Sequence, residues 1–173
     1  MNNYTVRPMR LDETQLVIDY LHNSTPEHLD MMGVDPTRLL SPDAWRERYA
    51  QEFATPIEKR TSFLTIWLDR DTPVGYSTTT HIKFGDSAHM HLHVLEPERR
   101  KSGIGAVCVP QSVKLYFEHL KLKRLFCEPN ALNVAPNRTL AAVGFKYVKT
   151  YMTVPGPINF HQPVTRWVYE PKS

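Results

Sequence analysis

Residues 89–106 read HMHLHVLEPERRKSGIGA. Three histidines alternate with apolar residues, so on an extended strand His89, His91 and His93 share one face. Glu96, Pro97 and Glu98 make an acidic turn, and Arg99, Arg100 and Lys101 follow it. Ser102, Gly103, Ile104 and Gly105 then open an apolar stretch of helical period. The order strand, basic turn, glycine pair, helix governs the reading of the whole chain. Glycines let backbone come close to a ligand. The first amides of a helix lack partners within it and lie at the positive end of its dipole. A phosphate suits that place, and the cations add charge-assisted contacts. The loop is not a P-loop, because no Gly-Lys-Ser/Thr ends it. It is not a dinucleotide fingerprint either, because the third glycine is missing and its strand comes from a hairpin. The competing reading is a solvated basic turn.

Working outward, Ser62–Leu68 and Val74–Ile82 read as strands joined by the turn Asp69–Pro73, and Ala88–Leu95 as a third strand in succession. Upstream, Tyr4–Arg10 alternates weakly as a first strand, and Asp12 is the expected cap of a helix carrying Leu16, Val17, Tyr20 and Leu21. Asn23–Pro42 is turn-rich yet apolar, as a packed loop or pocket wall would be. Ser41 and Pro42 open a second helix running to about Phe53. Downstream, Ile104–Leu120 is helical with an expected kink at Pro110. Arg124–Cys127 is a short strand, and Val134–Val143 a helix stopped by Gly144. Phe145–Val154 and Pro163–Tyr169 are last strands around the loop 155–162. The predicted fold class is mixed α/β (α+β): one domain over 1–173, with helices flanking a central, mostly antiparallel twisted sheet.

A formal charge of +3 is too small to argue for nucleic acid or a membrane surface, so neither is expected as a partner. An apolar fraction of 41% beside a charged fraction of 23% fits an ordinary globule, and no apolar run approaches a membrane span or a signal core. Cys108 and Cys127, each in an apolar run, read as reduced buried thiols, and a cytoplasmic location is the expectation.

Arg100-x-x-Gly103-x-Gly105 resembles the Arg/Gln-x-x-Gly-x-Gly/Ala signature of the GNAT superfamily of acetyl-CoA-dependent N-acetyltransferases. NVAPNRTLAAVGF, residues 133–145, is similar to that family's Asn…Gly-Phe segment, and the element order matches too. The resemblance implies acetyl-CoA as co-substrate, its pyrophosphate on the amides of Arg100, Lys101, Ser102, Gly103, Ile104 and Gly105. It implies a pantetheine arm lying along Val94 and Leu95 like an added strand. Asn133, assisted by Asn137, would contact that arm. It further implies an amine acceptor and admits a homodimer through the last strands. Two positions depart from the family pattern. Leu140 stands where many members have a tyrosine acting as general acid, leaving Tyr147 or Tyr151 as candidates for that role. Pro136 stands at a Ser/Ala position and is expected to restart the helix, with Val134 and Ala135 in a loop.

A primary amine, with a pKa of about 10, is protonated near neutrality and must lose a proton before attacking a thioester. Histidine suits that task. His89 and His91 fall where arylalkylamine N-acetyltransferases, which the chain resembles here, carry a deprotonating His-x-His pair. Two other readings stay open. The histidines can be hydrogen-bonded residues without chemistry, or zinc ligands of a hydrolase, although the only third ligands in view are Glu128 and His161. Met31, Met32, Trp45, Tyr49 and Phe53 are core or acceptor-pocket residues; Asp30 and Asp35 flank that segment as solvated loop carboxylates or as groups that attract a cationic amine, and Asn159, Phe160 and His161 of the loop 155–162 are candidates to cover the acceptor. No cysteine is expected beside the thioester, which favours direct transfer over an acetylated enzyme. A CoA-binding sensor or scaffold without transfer is the alternative function.

Overall fold

The structure, a computed structural model, describes residues 3–172. Seven strands form one sheet in the order β1-β2-β3-β4-β5-β7-β6. These are β1 (Tyr4–Pro8), β2 (Phe63–Asp69), β3 (Thr72–Lys83), β4 (Ser87–Val94), β5 (Arg124–Cys127), β6 (Lys146–Thr153) and β7 (Gln162–Tyr169). All neighbours are antiparallel except β4 and β5. A parallel pair needs a crossover, which here is helix α4 (Ile104–Leu120). Helices α1 (Gln15–Asn23), α2 (Pro26–Met31) and α3 (Pro42–Ala54) precede the hairpins, and α5 (Val134–Ala142) joins β5 to β6.

Both faces of the sheet are covered, which is why six consecutive residues of β2, Phe63–Leu68, are buried rather than alternating. On one face α4 packs Ile104, Cys108, Val109, Val113 and Tyr116 against Trp67, Val74 and Met90. On the other, Val17, Ile18 and Leu21 of α1 and Trp45 of α3 meet Leu64, Ile66 and Tyr76. Trp67, Tyr76 and Tyr116 are at most 1% exposed, each burial contributing about 2–3 kcal/mol. The polar atoms of Trp67 and Tyr116 are satisfied. Trp67 Nε1 donates to Ser112 Oγ (2.8 Å), and Tyr116 Oη donates to Ser77 Oγ (2.7 Å), which donates to the His91 carbonyl (2.8 Å). The α4 core is thereby tied to β4 at His91.

Three expectations change. Residues 11–13 form a short 3-10 turn and α1 starts after Thr14, so Asp12 caps nothing and pairs with Arg10 instead (3.3 Å). The apolar loop 23–42 contains α2, capped by the Thr25 side chain with Pro26 in its first turn. Helix α5 starts at Val134 and takes Pro136 into its first turn, where the missing N–H would have had no helical partner. Helix α4 has the predicted bounds, Ile104–Leu120, with Pro110 inside it. No helix among the described residues is long and apolar enough to cross a membrane.

Candidate active site

The site begins with a divergence of strands. Strands β4 and β5 pair only as far as Met90↔Cys127, although β4 continues to Val94. Pro129 has no N–H for a ladder. Its carbonyl accepts instead from Thr165 N of β7 (3.1 Å), and Asn130 bridges to Val164, so the chain beyond β5 is held away from β4. Leu95 N donates to Val74 O (3.0 Å), which sets the alternation. Odd-numbered residues of β4 direct their backbone groups at β3, and Leu92 and Val94 direct theirs at the gap. Of the two residues expected to form this edge, Val94 therefore faces the gap, whereas the Leu95 amide is already used.

A narrow cavity of about 70 Å³ occupies the gap, bounded by Leu92, Cys127, Glu128, Asn133 and Pro155 among others. A larger one, about 350 Å³, lies on the α1–α3 side between Leu21, Trp45, Tyr49, Tyr76 and Ile158. Met32, His91, His93 and Asn159 line both, so the two cavities meet at these four side chains. Loop 155–162 forms the far wall and is fastened to the α2 loop. Asn159 Nδ2 and Gln162 Nε2 both donate to Gly33 O (2.9 Å each), and Asp35 N donates to Ile158 O (2.8 Å). Gly156 passes close to the junction, and a methyl there would lie 2.7 Å from Asn159 Oδ1 and 3.3 Å from His91 Cε1.

The histidines separate. His91 and His93 front the cavities. His89, on the same face but where β4 and β5 are still paired, fronts neither. Its ring lies near His81, at 5.0 Å, and Phe126, at 5.3 Å, with Nδ1 buried, unbonded and 4.0 Å from Glu128. His93 stacks on Tyr76 at 4.8 Å and meets Tyr20 at 5.4 Å. Burial, reinforced by neighbouring positive groups, pulls all three down, His91 to about 4 and His89 and His93 to about 3, so each is neutral near pH 7. His91 Nε2 is 2.9 Å from Thr80 Oγ1, which is 3.0 Å from Nδ1 of the exposed His81. A hydroxyl thus links the buried imidazole to one in solvent.

The basic loop is less uniform than its sequence. Arg99 is taken by Glu96 (2.7 Å) and by Asp69 (3.3 Å). Arg100 turns inward, donating from Nε to Val94 O (3.4 Å) and from Nη1 to His28 Nδ1 (3.3 Å). His28 must then donate from Nε2 to the Tyr20 hydroxyl (2.7 Å), which donates to Met32 Sδ (3.3 Å). Burial first and Arg100 second bring His28 down to about 4. Lys101 is exposed, and Ser102 Oγ closes the turn on Arg99 O. Lys101 (φ 67°) and Gly103 (φ 85°) are left-handed, and Gly103 caps α4 without any side-chain bond to the first amides. Ile104 anchors the turn in the core, and Gly105 packs on α5, where a methyl would come within 3.0 Å of Thr139 Cγ2.

The sequence matches the acetyltransferase (GNAT) domain family over residues 3–146. This chain belongs to the GNAT family. Members of the family are acetyl-CoA-dependent N-acetyltransferases, and this chain is one. No curated protein matches it by sequence. Solved structures share the GNAT fold with it, three of which serve as examples. Ribosomal-protein-S5-alanine acetyltransferase from Vibrio fischeri is 16% identical with TM-score 0.74, covering 98% of this chain and 94% of that one. Spermidine N-acetyltransferase from Vibrio cholerae, in complex with CoA and spermine, is 16% identical with TM-score 0.75, covering 96% and 95%. The aminoglycoside acetyltransferase AAC(6')-Ib with coenzyme A is 15% identical with TM-score 0.71, covering 97% and 95%.

The residues present suit the GNAT co-substrate. The edge at Leu92 and Val94, unpaired with any strand and met only by Arg100 Nε at Val94 O, offers main-chain partners to an amide-bearing arm, and the uncapped amides at Gly103–Gly105 offer donors to phosphate. Asn133, at the start of α5, lines the gap. Asn137 does not, because its Nδ2 donates to the Asn130 and Asn133 carbonyls and its Oδ1 accepts from Trp167 Nε1 (2.8 Å). Tyr147 lies on the edge strand β6, 59% exposed, with its hydroxyl on Thr150 (3.3 Å), and borders neither cavity. Tyr151 donates to Glu128 Oε1 (2.8 Å). Leu140 is fully buried. Contrary to expectation a cysteine does border the gap, but burial and Glu128 push the Cys127 thiol far above its ordinary pKa, and Cys108, inside the core, rises to about 12. Among the described residues no three His, Cys, Asp or Glu side chains are grouped to hold a metal ion. Thr80, His28 and Tyr20 escaped sequence reasoning, since no motif marks a hydroxyl between two histidines from different strands.

Proposed function

We propose that the protein moves the acetyl group of acetyl-CoA to a primary amine by direct attack, with both substrates bound at once. The observation that carries this reading is the junction of the two cavities at His91, beside the free edge of β4. Acetyl-CoA supplies an electrophilic thioester. Leu92, Val94 and Asn133 hold its arm in the gap. The amides from Gly103 to Gly105, with Lys101, hold its phosphates, and Val94 N–H is placed to meet the developing oxyanion.

The acceptor occupies the larger cavity with its nitrogen at His91. An ammonium group must shed two protons to become an amide. His91 takes the first at Nδ1 and passes one from Nε2 through the Thr80 hydroxyl to His81 and solvent. The second leaves as the N–C bond forms and the C–S bond breaks, and it ends on the departing sulfur. A thiol pKa of about 8.5 lets that sulfur leave without a tyrosine. A buried imidazole is a weak base, so the same desolvation must also lower the amine's pKa, and both shifts favour neutral partners in the cavity. The protonated state of Cys127 supports direct attack, since only a thiolate would capture the acetyl group.

The test is a panel of primary amines incubated with acetyl-CoA, reading free thiol and the mass of the acetylated amine. Turnover of at least one amine with one acetyl added per thiol released is expected. Thiol release without an acetylated amine, or a stable acetyl adduct on the protein, would overturn the reading.

A further inference from the structure

The larger cavity is cationic in a way that GNAT membership does not dictate. Arg38 and Arg48 are exposed residues that line it, so they stand at its mouth, while His91 and His93 lie at the inner end shared with the narrow cavity. No Asp or Glu lines it among the described residues. Two carboxylates on the elements around it, Asp35 and Glu52, already have partners. Asp35 accepts from Thr37 N (2.9 Å) and Thr37 Oγ1 (2.7 Å) and pairs with Arg38, its Oδ2 3.5 Å from Nε, so Arg48 is the mouth cation without an ion-pair partner among the described residues. Glu52 is held by the Thr61 and Ser62 amides, at 3.0 and 3.2 Å. Asp30, like Asp35, is absent from the cavity lining. The middle of the cavity is apolar and aromatic, with Leu21, Met32, Leu40, Trp45 and Tyr49 on its walls.

Resting on the acetyl-transfer reading, we propose that the acceptor is a small molecule with an amine at one end, an apolar or aromatic body, and a carboxylate at the other. The amine reaches His91, the body fills the aromatic section, and the carboxylate meets the guanidiniums of Arg38 and Arg48, which present paired donors in a fork matched to it. A polyamine or aminoglycoside would bring further cations against those two arginines with no carboxylate to offset them. The side bounded by loop 155–162 is fastened to the α2 loop, Val34 bridging to Asn159, which leaves the arginine mouth as the way in. A cavity of about 350 Å³ is of the size that encloses a small ligand.

Three rigid amines that differ only at the far end test this: 4-(aminomethyl)benzoic acid, benzylamine and 4-(aminomethyl)benzylamine, with spermidine as a flexible polycation. The expected order of kcat/KM is acid, neutral, diamine, the acid exceeding the diamine by roughly tenfold or more, as a charge-assisted contact gives. Calorimetry on the protein without acetyl-CoA should give the same order in Kd. In the double variant Arg38→Glu/Arg48→Glu the acid-to-diamine ratio should invert in both measurements, with circular dichroism confirming the fold. Preference for the diamine or spermidine in the parent protein, or an unchanged ratio in the variant, overturns the proposal. Binding of the acid in the expected order without acetyl transfer to any amine would uphold the charge assignment and sink the transfer reading. Transfer with no order among the three would do the reverse.

Discussion

His89 and His91 are the same residue type on the same face of the same strand, two positions apart, yet they sit in different surroundings. Around His91 strand β4 has lost its parallel neighbour and two cavities meet. Around His89 the neighbour is still present, bringing Phe126 against the ring and Glu128 within 4.0 Å, with Arg166 and Tyr151 already on that carboxylate. A face of a strand is thus not one environment. The point at which pairing stops decides which residues front the cavities and which pack beside the buried Glu128.

The comparison breaks most directly by exchanging each histidine for glutamine. His91→Gln should lower kcat by about 10²–10⁴, the range for a lost general base. His89→Gln should stay within a few-fold of the parent under the same steady-state assay. Equal losses, or a larger one at His89, would mean that the unpaired segment is not where the amine is deprotonated.

The other side of the comparison is measured by stability. Glu128 is buried, accepts from Tyr151 at 2.8 Å and pairs with Arg166 at 3.3 Å. Glu128→Gln should cost about 1.5–3 kcal/mol, the worth of hydrogen bonds to a charged group. Urea unfolding checks it. If the Glu128 cluster is structural, His91-dependent turnover should fall far less than stability does. A loss of turnover as large as that of His91→Gln would place Glu128 in the chemistry.

Much of this was legible in the sequence, and the illegible part has one physical cause. Ser41-Pro42, the Asp69–Pro73 turn, Gly103-x-Gly105 and Gly144 act locally, through capping, turn geometry and left-handed backbone, and each marks its element correctly. A period of two likewise put the three histidines on one face. The end of β5 at Cys127 was legible too, but not that the chain beyond it would be held away from β4, because that depends on Thr165, thirty-six positions after Pro129, which takes the Pro129 carbonyl. The same distance in sequence hid the pairing of Arg99 with Asp69, the commitment of Asn137 to Trp167, and the Thr80 hydroxyl between His91 and His81. Tyr147 is a candidate by residue type and by its strand, and β6 holds it on the outer edge of the sheet.

That hydroxyl offers a smaller test of the same contrast, because only His91 is linked through Thr80 to solvent. Thr80→Val removes the hydroxyl while nearly conserving shape. It should lower kcat about tenfold, less than loss of the base itself. Thr80→Ser should restore most of the activity, as it keeps the hydroxyl. A solvent isotope effect on kcat that falls in Thr80→Val would identify proton movement. Failure of serine to rescue would reduce Thr80 to a packing residue.

The smallest expected effect is the absence of one. If burial holds His91 at about 4, kcat/KM should show no inflection near 6.5. It should climb with pH along the titration of the amine, and substituting an amine of lower pKa should move the climb by the same interval. Stability supplies the matching half. The folded-state values of His28, His89, His91 and His93, between about 3 and about 4, lie below the unfolded value near 6.5. Below pH 6.5 the unfolded chain therefore binds more protons than the folded one. Stability is complete above that pH and declines as pH falls toward the folded values, by at most about 1.4 kcal/mol per pH unit for each histidine. His91→Gln should flatten that decline by one histidine's share, and so should His89→Gln. In this respect alone the two positions are expected to be alike, since desolvation acts on both rings whether or not a substrate cavity lies beside them. A kinetic inflection near 6.5 that disappears in His91→Gln would show instead that the imidazole titrates as if in water, and the contrast between the two ends of β4 would have to rest on geometry alone.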